Sequence, residues 1–142
     1  MARDTTPHPS ADAAADLRLS EAHEIIYDGN VLMLRLGRYL KPYGLIPTTM
    51  GLLSRLMDPR CDAVRMTELA ASLAMSMSGV TRAVDSLEAE GLIKRNFGTR
   101  DRREVMVRIT EAGRRRVHEA LPGYLRELDS HRQEMSPALR VG

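Results

Sequence analysis

The stretch Ser76-Met77-Ser78-Gly79-Val80-Thr81-Arg82-Ala83-Val84-Asp85-Ser86-Leu87-Glu88-Ala89-Glu90-Gly91-Leu92-Ile93 decides how the chain is read. Val80, Ala83 or Val84, and Leu87 draw one narrow apolar stripe at helical spacing. Ser76 is placed to cap the helix start by accepting a free backbone N–H. Gly91 is placed to end it, because glycine takes the left-handed conformation at little cost. The face opposite the stripe carries Ser78, Thr81, Arg82 and Asp85. Short hydroxyls and one long bidentate donor in the first two turns suit a helix that reads bases in a major groove. An ordinary surface helix would also be polar on one side, so the flanking sequence has to decide.

On the N-terminal side, Thr67 is placed to cap a compact helix over residues 68–73, with Leu69, Ala70 and Leu73 turned inward. Ala74-Met75 leave room only for a tight turn before Ser76. A short helix, a tight turn and a second amphipathic helix make a helix-turn-helix. On the C-terminal side the period changes from 3.6 to 2. Residues 92–97 and 104–109 read as strands, with Val105, Val107 and Ile109 on one face. Gly98-Thr99-Arg100-Asp101-Arg102-Arg103 lies between them, so a basic-tipped hairpin, a wing, follows the second helix.

Further out, a helical pattern begins near Asp16 and runs to about residue 41, with Leu17, Ile25, Leu32, Leu36 and Tyr39 or Leu40 on one face. Gly29 and Gly37 fall inside it, placed either for close approach of another helix or for a bend. Residues 1–15 hold few large apolar groups and read as a disordered tail. Pro47 opens a helix carrying Met50, Leu52, Leu53, Leu56 and Met57, and residues 60–66 end in one short strand. Thr110 caps a long last helix over residues 111–135, bent at Pro122 and fading by Met135-Ser136-Pro137. The fold class is mainly α with a small β wing. A winged helix-turn-helix lobe over residues 45–110 sits between long terminal helices at 16–41 and 111–135, in a single domain over residues 16–142.

Composition narrows the partner. The chain has 142 residues, 43% hydrophobic and 28% charged, which suits one globular domain. Its net charge is only +2, yet residues 92–116 hold nine Lys or Arg against three acids, a local balance of +6. Residues 1–40 hold four bases and six acids. A basic segment on a near-neutral protein points to a phosphate partner. Aromatics are Phe97 and four tyrosines, too few for the stacking platforms of single-strand binders, so duplex DNA is the expected ligand. No apolar run approaches the roughly 20 residues of a membrane helix, and the N-terminus lacks a secretory pattern. The lone Cys61 cannot form an internal disulfide, which fits a cytoplasmic protein.

The order helix, helix, helix-turn-helix, wing, helix resembles the MarR family of bacterial transcription regulators. Thr67-Glu68-Leu69-Ala70 resembles the opening of that family's first reading helix. Val80 to Glu88, with Gly91-Leu92-Ile93 and Arg95, resembles its recognition helix and first wing strand. Asp101-Arg102-Arg103 is similar to its wing signature, with Val105, Val107 and Thr110-Glu111-Ala112-Gly113 in step behind. The match covers about residues 45–125. The resemblance implies a homodimeric, ligand-responsive repressor on a palindromic operator, with one recognition helix per major groove. It implies a wing arginine, Arg103 or Arg102, in a minor groove, and an Asp101 that ties a neighbouring arginine in place. A narrow minor groove does attract an exposed loop arginine. The expected DNA-binding set is Thr67, Ser76, Ser78, Thr81, Arg82, Asp85, Arg100, Arg102 and Arg103.

The chain departs from the family pattern in three places. Ile46 stands where a hydroxyl cap usually precedes Pro47, at a cost of about 1 kcal/mol. Thr49 stands where glutamine is common. The chain ends at Gly142, where relatives continue into a further helix, so a weaker dimer is expected. The family's small aromatic effectors would be met by Tyr27, Tyr39, Tyr43 and Met50, although residues at such helical spacing more often belong to the core. Redox sensing at Cys61 between Arg60 and Arg65, and metal sensing by His23, His118 and His131, are the alternative regulators. A winged-helix protein-interaction module is a further alternative. No phosphate-cradling loop, nucleophile elbow or paired-acid constellation is present, so neither an enzyme nor a cofactor or metal site is expected.

Overall fold

The computed structural model describes residues 11–98, 100–101 and 103–135. The chain forms α1 (Ala11–Leu40), a turn of 3-10 helix (Lys41–Tyr43), α2 (Pro47–Leu56), β1 (Val64–Arg65), α3 (Met66–Ser72), α4 (Met77–Ala89), β2 (Ile93–Phe97), β3 (Val105–Ile109) and α5 (Glu111–Glu134). No helix among the described residues is long and apolar enough to cross a membrane.

The lobe core is built from the apolar stripes of α2, α3 and α4. Met50, Leu52, Leu53, Leu69, Val80, Val84 and Leu87 are almost wholly removed from water. Each such side chain contributes about 1.5–3 kcal/mol of hydrophobic stabilisation. The sheet closes one side of this core. Its order is β1-β3-β2, all antiparallel. Ile93 faces Ile109, and Arg95 faces Val107. That register buries Ile93, Val107 and Ile109 against the helices.

The terminal helices pack on each other. The Tyr39 hydroxyl donates to the Ala120 carbonyl at 2.9 Å, and Arg35 pairs with Glu134 at 2.6 Å. Leu36 and Leu40 are buried at this end of α1, whereas residues 11–27 are exposed along their whole length.

Several sequence expectations shift. α1 starts at Ala11 rather than near Asp16, so residues 11–15 are helix and not tail. Alanine and aspartate there favour a helix start, and no breaker intervenes. The rest of the expected tail, residues 1–10, lies outside the described residues, as do residues 136–142. α1 passes through Gly29 and Gly37 unbroken, and a Cβ on Gly29 would touch nothing within 4 Å. α5 likewise continues through Pro122. Thr67 is not the cap of α3. Pairing of Val64 and Arg65 with Val107 and Met106 holds the backbone extended to Arg65, which becomes the N-cap and puts Thr67 inside the first turn. Ile46 caps α2 without a side-chain bond, but Thr49 compensates. Its hydroxyl accepts the Ile46 N–H and donates to the Ile46 carbonyl, both at 3.0 Å, which is the reverse half of a capping box.

Candidate nucleic-acid interface

α4 is set up from its first residue. Ser76 accepts the Gly79 N–H at 3.1 Å and lies 3.2 Å from the Ser78 hydroxyl. The helix start is thus capped while both serines remain exposed. One turn on, the Thr81 hydroxyl donates to the Met77 carbonyl at 2.8 Å. Its proton is committed, so towards solvent Thr81 offers an acceptor oxygen and a methyl group, a combination that suits base edges. Arg82 is exposed and stands over a shallow recess shared with Thr48, Thr49, Ser76, Ser78 and Ser86. Its guanidinium has no ion-pair partner among the described residues, and its fork fits the O6 and N7 acceptors of guanine. Behind this face Val80, Ala83, Val84 and Leu87 anchor the helix.

Gly91 takes φ +73° between α4 and β2 and turns the chain into the wing. A clamp then fixes the wing to the helix. Arg95 on β2 pairs with Asp85 through its Nη2, and its Nε donates to Glu88 at 3.1 Å. The Arg95 backbone N–H donates to the other Glu88 oxygen at 2.8 Å. This backbone bond, with the guanidinium, holds the Glu88 carboxyl below its usual range. The bond from Asp85, then that from Glu88, raises Arg95. Asp85, expected to face DNA, is therefore spent on the wing. An acid there would repel phosphate, and pairing it removes that penalty.

The tip is held by backbone bonds. Gly98 N–H donates to the Glu104 carbonyl at 2.7 Å, and Glu104 N–H donates to the Asp101 carbonyl at 3.1 Å. The Asp101 carboxylate accepts the Arg103 backbone N–H at 2.9 Å. The resemblance assigns Asp101 to an arginine side chain. Here it organises the turn and leaves the Arg103 guanidinium outside that bond. Arg100 and Arg103 are exposed. Arg102 lies outside the described residues. Glu104 in turn pairs with Arg65 at the start of α3.

The geometry thus places Ser76, Ser78 and Arg82 along one recess of α4 and Thr81, with Thr67 and Arg103, along a second recess beside it. Arg95 and Glu88, which the sequence reading quoted only as part of the family pattern, form this clamp. The signal was present: two acids three residues apart on one helix face, then an arginine just after the glycine turn.

The four expected effector residues are not gathered. Met50 is wholly buried in the core and Tyr27 is exposed, about 18 Å along α1 from Tyr39. Tyr39 and Tyr43 do meet, with hydroxyls 3.3 Å apart. Hydrogen bonding to Tyr43 and burial raise the Tyr39 hydroxyl above its ordinary range. An apolar recess of about 310 Å³ instead opens where α1, α2 and α5 meet, lined by Leu32, Leu36, Gly51, Met75, Tyr124 and Leu128 among others. Cys61 is half-buried. His131 is buried against α1 while His23 and His118 are exposed, and no group of three potential metal ligands occurs among the described residues.

A family model described as the MarR family matches residues 60–105, which span β1 through the start of β3. The HTH-type transcriptional repressor YetL of Bacillus subtilis is 26% identical over 92 residues, covering 65% of this chain and 55% of YetL. The transcriptional repressor MprA of Escherichia coli is 32% identical over 85 residues, covering 60% of this chain and 48% of MprA. The chain spans about half the length of the curated relatives it matches. Among solved structures, Sco3205 of Streptomyces coelicolor, a MarR family transcriptional regulator in complex with DNA, superposes with a TM-score of 0.75. It is 24% identical over 96% of this chain and 84% of its own, a likeness of fold. The matched segment, the capped helix α4 and the clamped wing converge: the chain has the winged helix-turn-helix fold, and its residues 60–105 are similar to the MarR family.

Proposed function

We propose that the protein is a cytoplasmic, sequence-specific duplex-DNA-binding regulator, a homodimeric repressor on a palindromic operator. The observation that carries this reading is the pairing of a reading face with a clamped wing. Ser76, Ser78, Thr81 and Arg82 are exposed at the start of α4, while the acids beside them are tied up by Arg95. Two curated relatives are named as transcriptional repressors, which supports repression. Exposed apolar residues along α1, among them Leu19, Ile26 and Met33, support a partner for that helix. Response to a small ligand fits the apolar recess between the terminal helices and the lobe.

The test is recovery of bound fragments from sheared genomic DNA, followed by affinity measurements across a salt series. Affinity should fall steeply with salt, as phosphate contacts require. Arg82→Ala should cost about 1–3 kcal/mol and relax the preference at one base pair per half-site. A uniform loss on all sequences would make Arg82 a phosphate clamp. A flat salt response with no enriched fragment would favour a protein-interaction module.

A further inference from the structure

Among the described residues, Phe97 is the most exposed of the large apolar side chains, at 73%. It closes β2 opposite Val105, immediately before the wing tip. Its side chain shares the lining of a recess of about 850 Å³ between α4 and the wing with Met77, Thr81, Thr67 and Arg103. Met77 is also exposed, so the floor presents two large apolar groups to water.

The charges around this floor cancel. Arg65 pairs with Glu104, and Arg95 pairs with Glu88 and Asp85. Asp101 is engaged by the Arg103 backbone. Among the described residues, cations with no ion-pair partner stand to either side: Arg103 at the wing rim of this recess, and Arg82 beyond its α4 rim, over the neighbouring recess. A duplex read by α4 and gripped by the wing must carry its backbone across the space between them. Phosphates would meet the rims. The neutral apolar floor matches the deoxyribose face, which carries no charge.

We propose that Phe97, seated with Met77, packs against deoxyribose between the groove read by α4 and the groove entered by the wing. The inference rests on the DNA-binding reading above and adds a contact of a different chemistry. Burying an apolar side chain on sugar releases no counterions. It therefore strengthens binding without changing the salt dependence, and it reads no sequence.

The experiment compares wild type, Phe97→Ala, Phe97→Leu and Arg103→Ala on two probes, across a salt series. One probe is a duplex recovered by genomic selection and the other is an unrelated duplex of equal length. Phe97→Ala should weaken both by a similar factor, roughly tenfold. The slope of log affinity against log salt should stay at the wild-type value. Phe97→Leu should regain most of the loss. Arg103→Ala should make the slope shallower. Wild-type affinity in Phe97→Ala beside weakened Arg103→Ala would overturn the sugar contact and leave DNA binding intact. A slope change in Phe97→Ala equal to that of Arg103→Ala would also overturn it, because the loss would then come from a displaced wing. Failure of wild type to bind either duplex would overturn the underlying reading. Thermal melts should be alike, since Phe97 is scarcely buried.

Discussion

Gly113 occupies a position where no side chain fits. A Cβ there would fall on the Leu92 carbonyl oxygen and come within 2.7 Å of Ile109 Cγ1. The Leu92 carbonyl is backbone, and it accepts the Thr110 N–H at 3.0 Å as α5 begins. It cannot swing aside as a flexible side chain would. Gly113→Ala should therefore destabilise the fold by about 1–3 kcal/mol or more, measured by urea unfolding. A loss below about 0.5 kcal/mol would mean that α5 can shift off the sheet at little cost. Nothing in a window around residue 113 announces this clash, because it comes from a strand turn 21 residues away. Caps were legible by contrast where the cap is local. Ser76 and Thr110 do accept the N–H groups of Gly79 and Gly113. Thr67 misled because the preceding residues are held by a strand from elsewhere in the chain. Thr49 compensates for Ile46 from inside the helix, a rescue that reading the cap position alone does not reveal.

At the scale of elements, the wing is a hairpin whose orientation depends on one arginine. Helix, turn, strand and strand were readable from period and glycine, and the basic tip from composition. The clamp was not, because it joins residues on two elements whose angle the sequence does not specify. Glu88 sits below its ordinary carboxylate range because the Arg95 backbone and guanidinium both favour its charged form. A depressed carboxylate contributes stability above its unfolded value, near 4.3, and loses it as pH falls through the lower folded value. The wing should thus stay docked through neutral pH and loosen only in acid below the usual glutamate range. The Arg95 amide resonance should follow that titration, and Glu88→Gln should abolish it. A midpoint at or above the ordinary value would contradict the clamp. The tip depends on Asp101 in a second way. Its carboxylate orders the turn through the Arg103 N–H, and an unordered loop costs about 1–2 kcal/mol of entropy per residue fixed on DNA. Asp101→Ala should therefore weaken operator binding with little change in melting temperature, although it removes a negative charge near phosphate. Tighter binding would show that charge alone governs the wing.

The whole molecule leaves one structural demand unmet within a single chain. α1 is 30 residues, about 45 Å, yet only Leu36 and Leu40 near its end are buried. Leu19, Ile26 and Met33 recur every seven residues and are exposed by 69%, 63% and 49%. A seven-residue apolar repeat is the spacing of a helix that meets another helix. Met33 borders the Leu32 and Leu36 side that turns towards α2 and α5, whereas Leu19 and Ile26 lie beyond that recess. Helices in proteins gain most of their stability from packing an apolar face, so the free half of α1 needs a partner. A second copy supplies an identical stripe. Ile26→Glu places a charge in the middle of that stripe, far from the lobe core. The variant should sediment as a monomer under conditions where the wild type should sediment as a dimer. Helical circular dichroism should fall by part of α1, while the lobe retains a cooperative melt. Operator affinity should drop by about 10²–10⁴, because two half-sites no longer act through one linked molecule. Affinity for an isolated half-site should stay near the wild-type value. A dimer that survives Ile26→Glu with full helicity would move the interface off this stripe. A monomer that keeps full operator affinity would remove the need for two reading helices altogether.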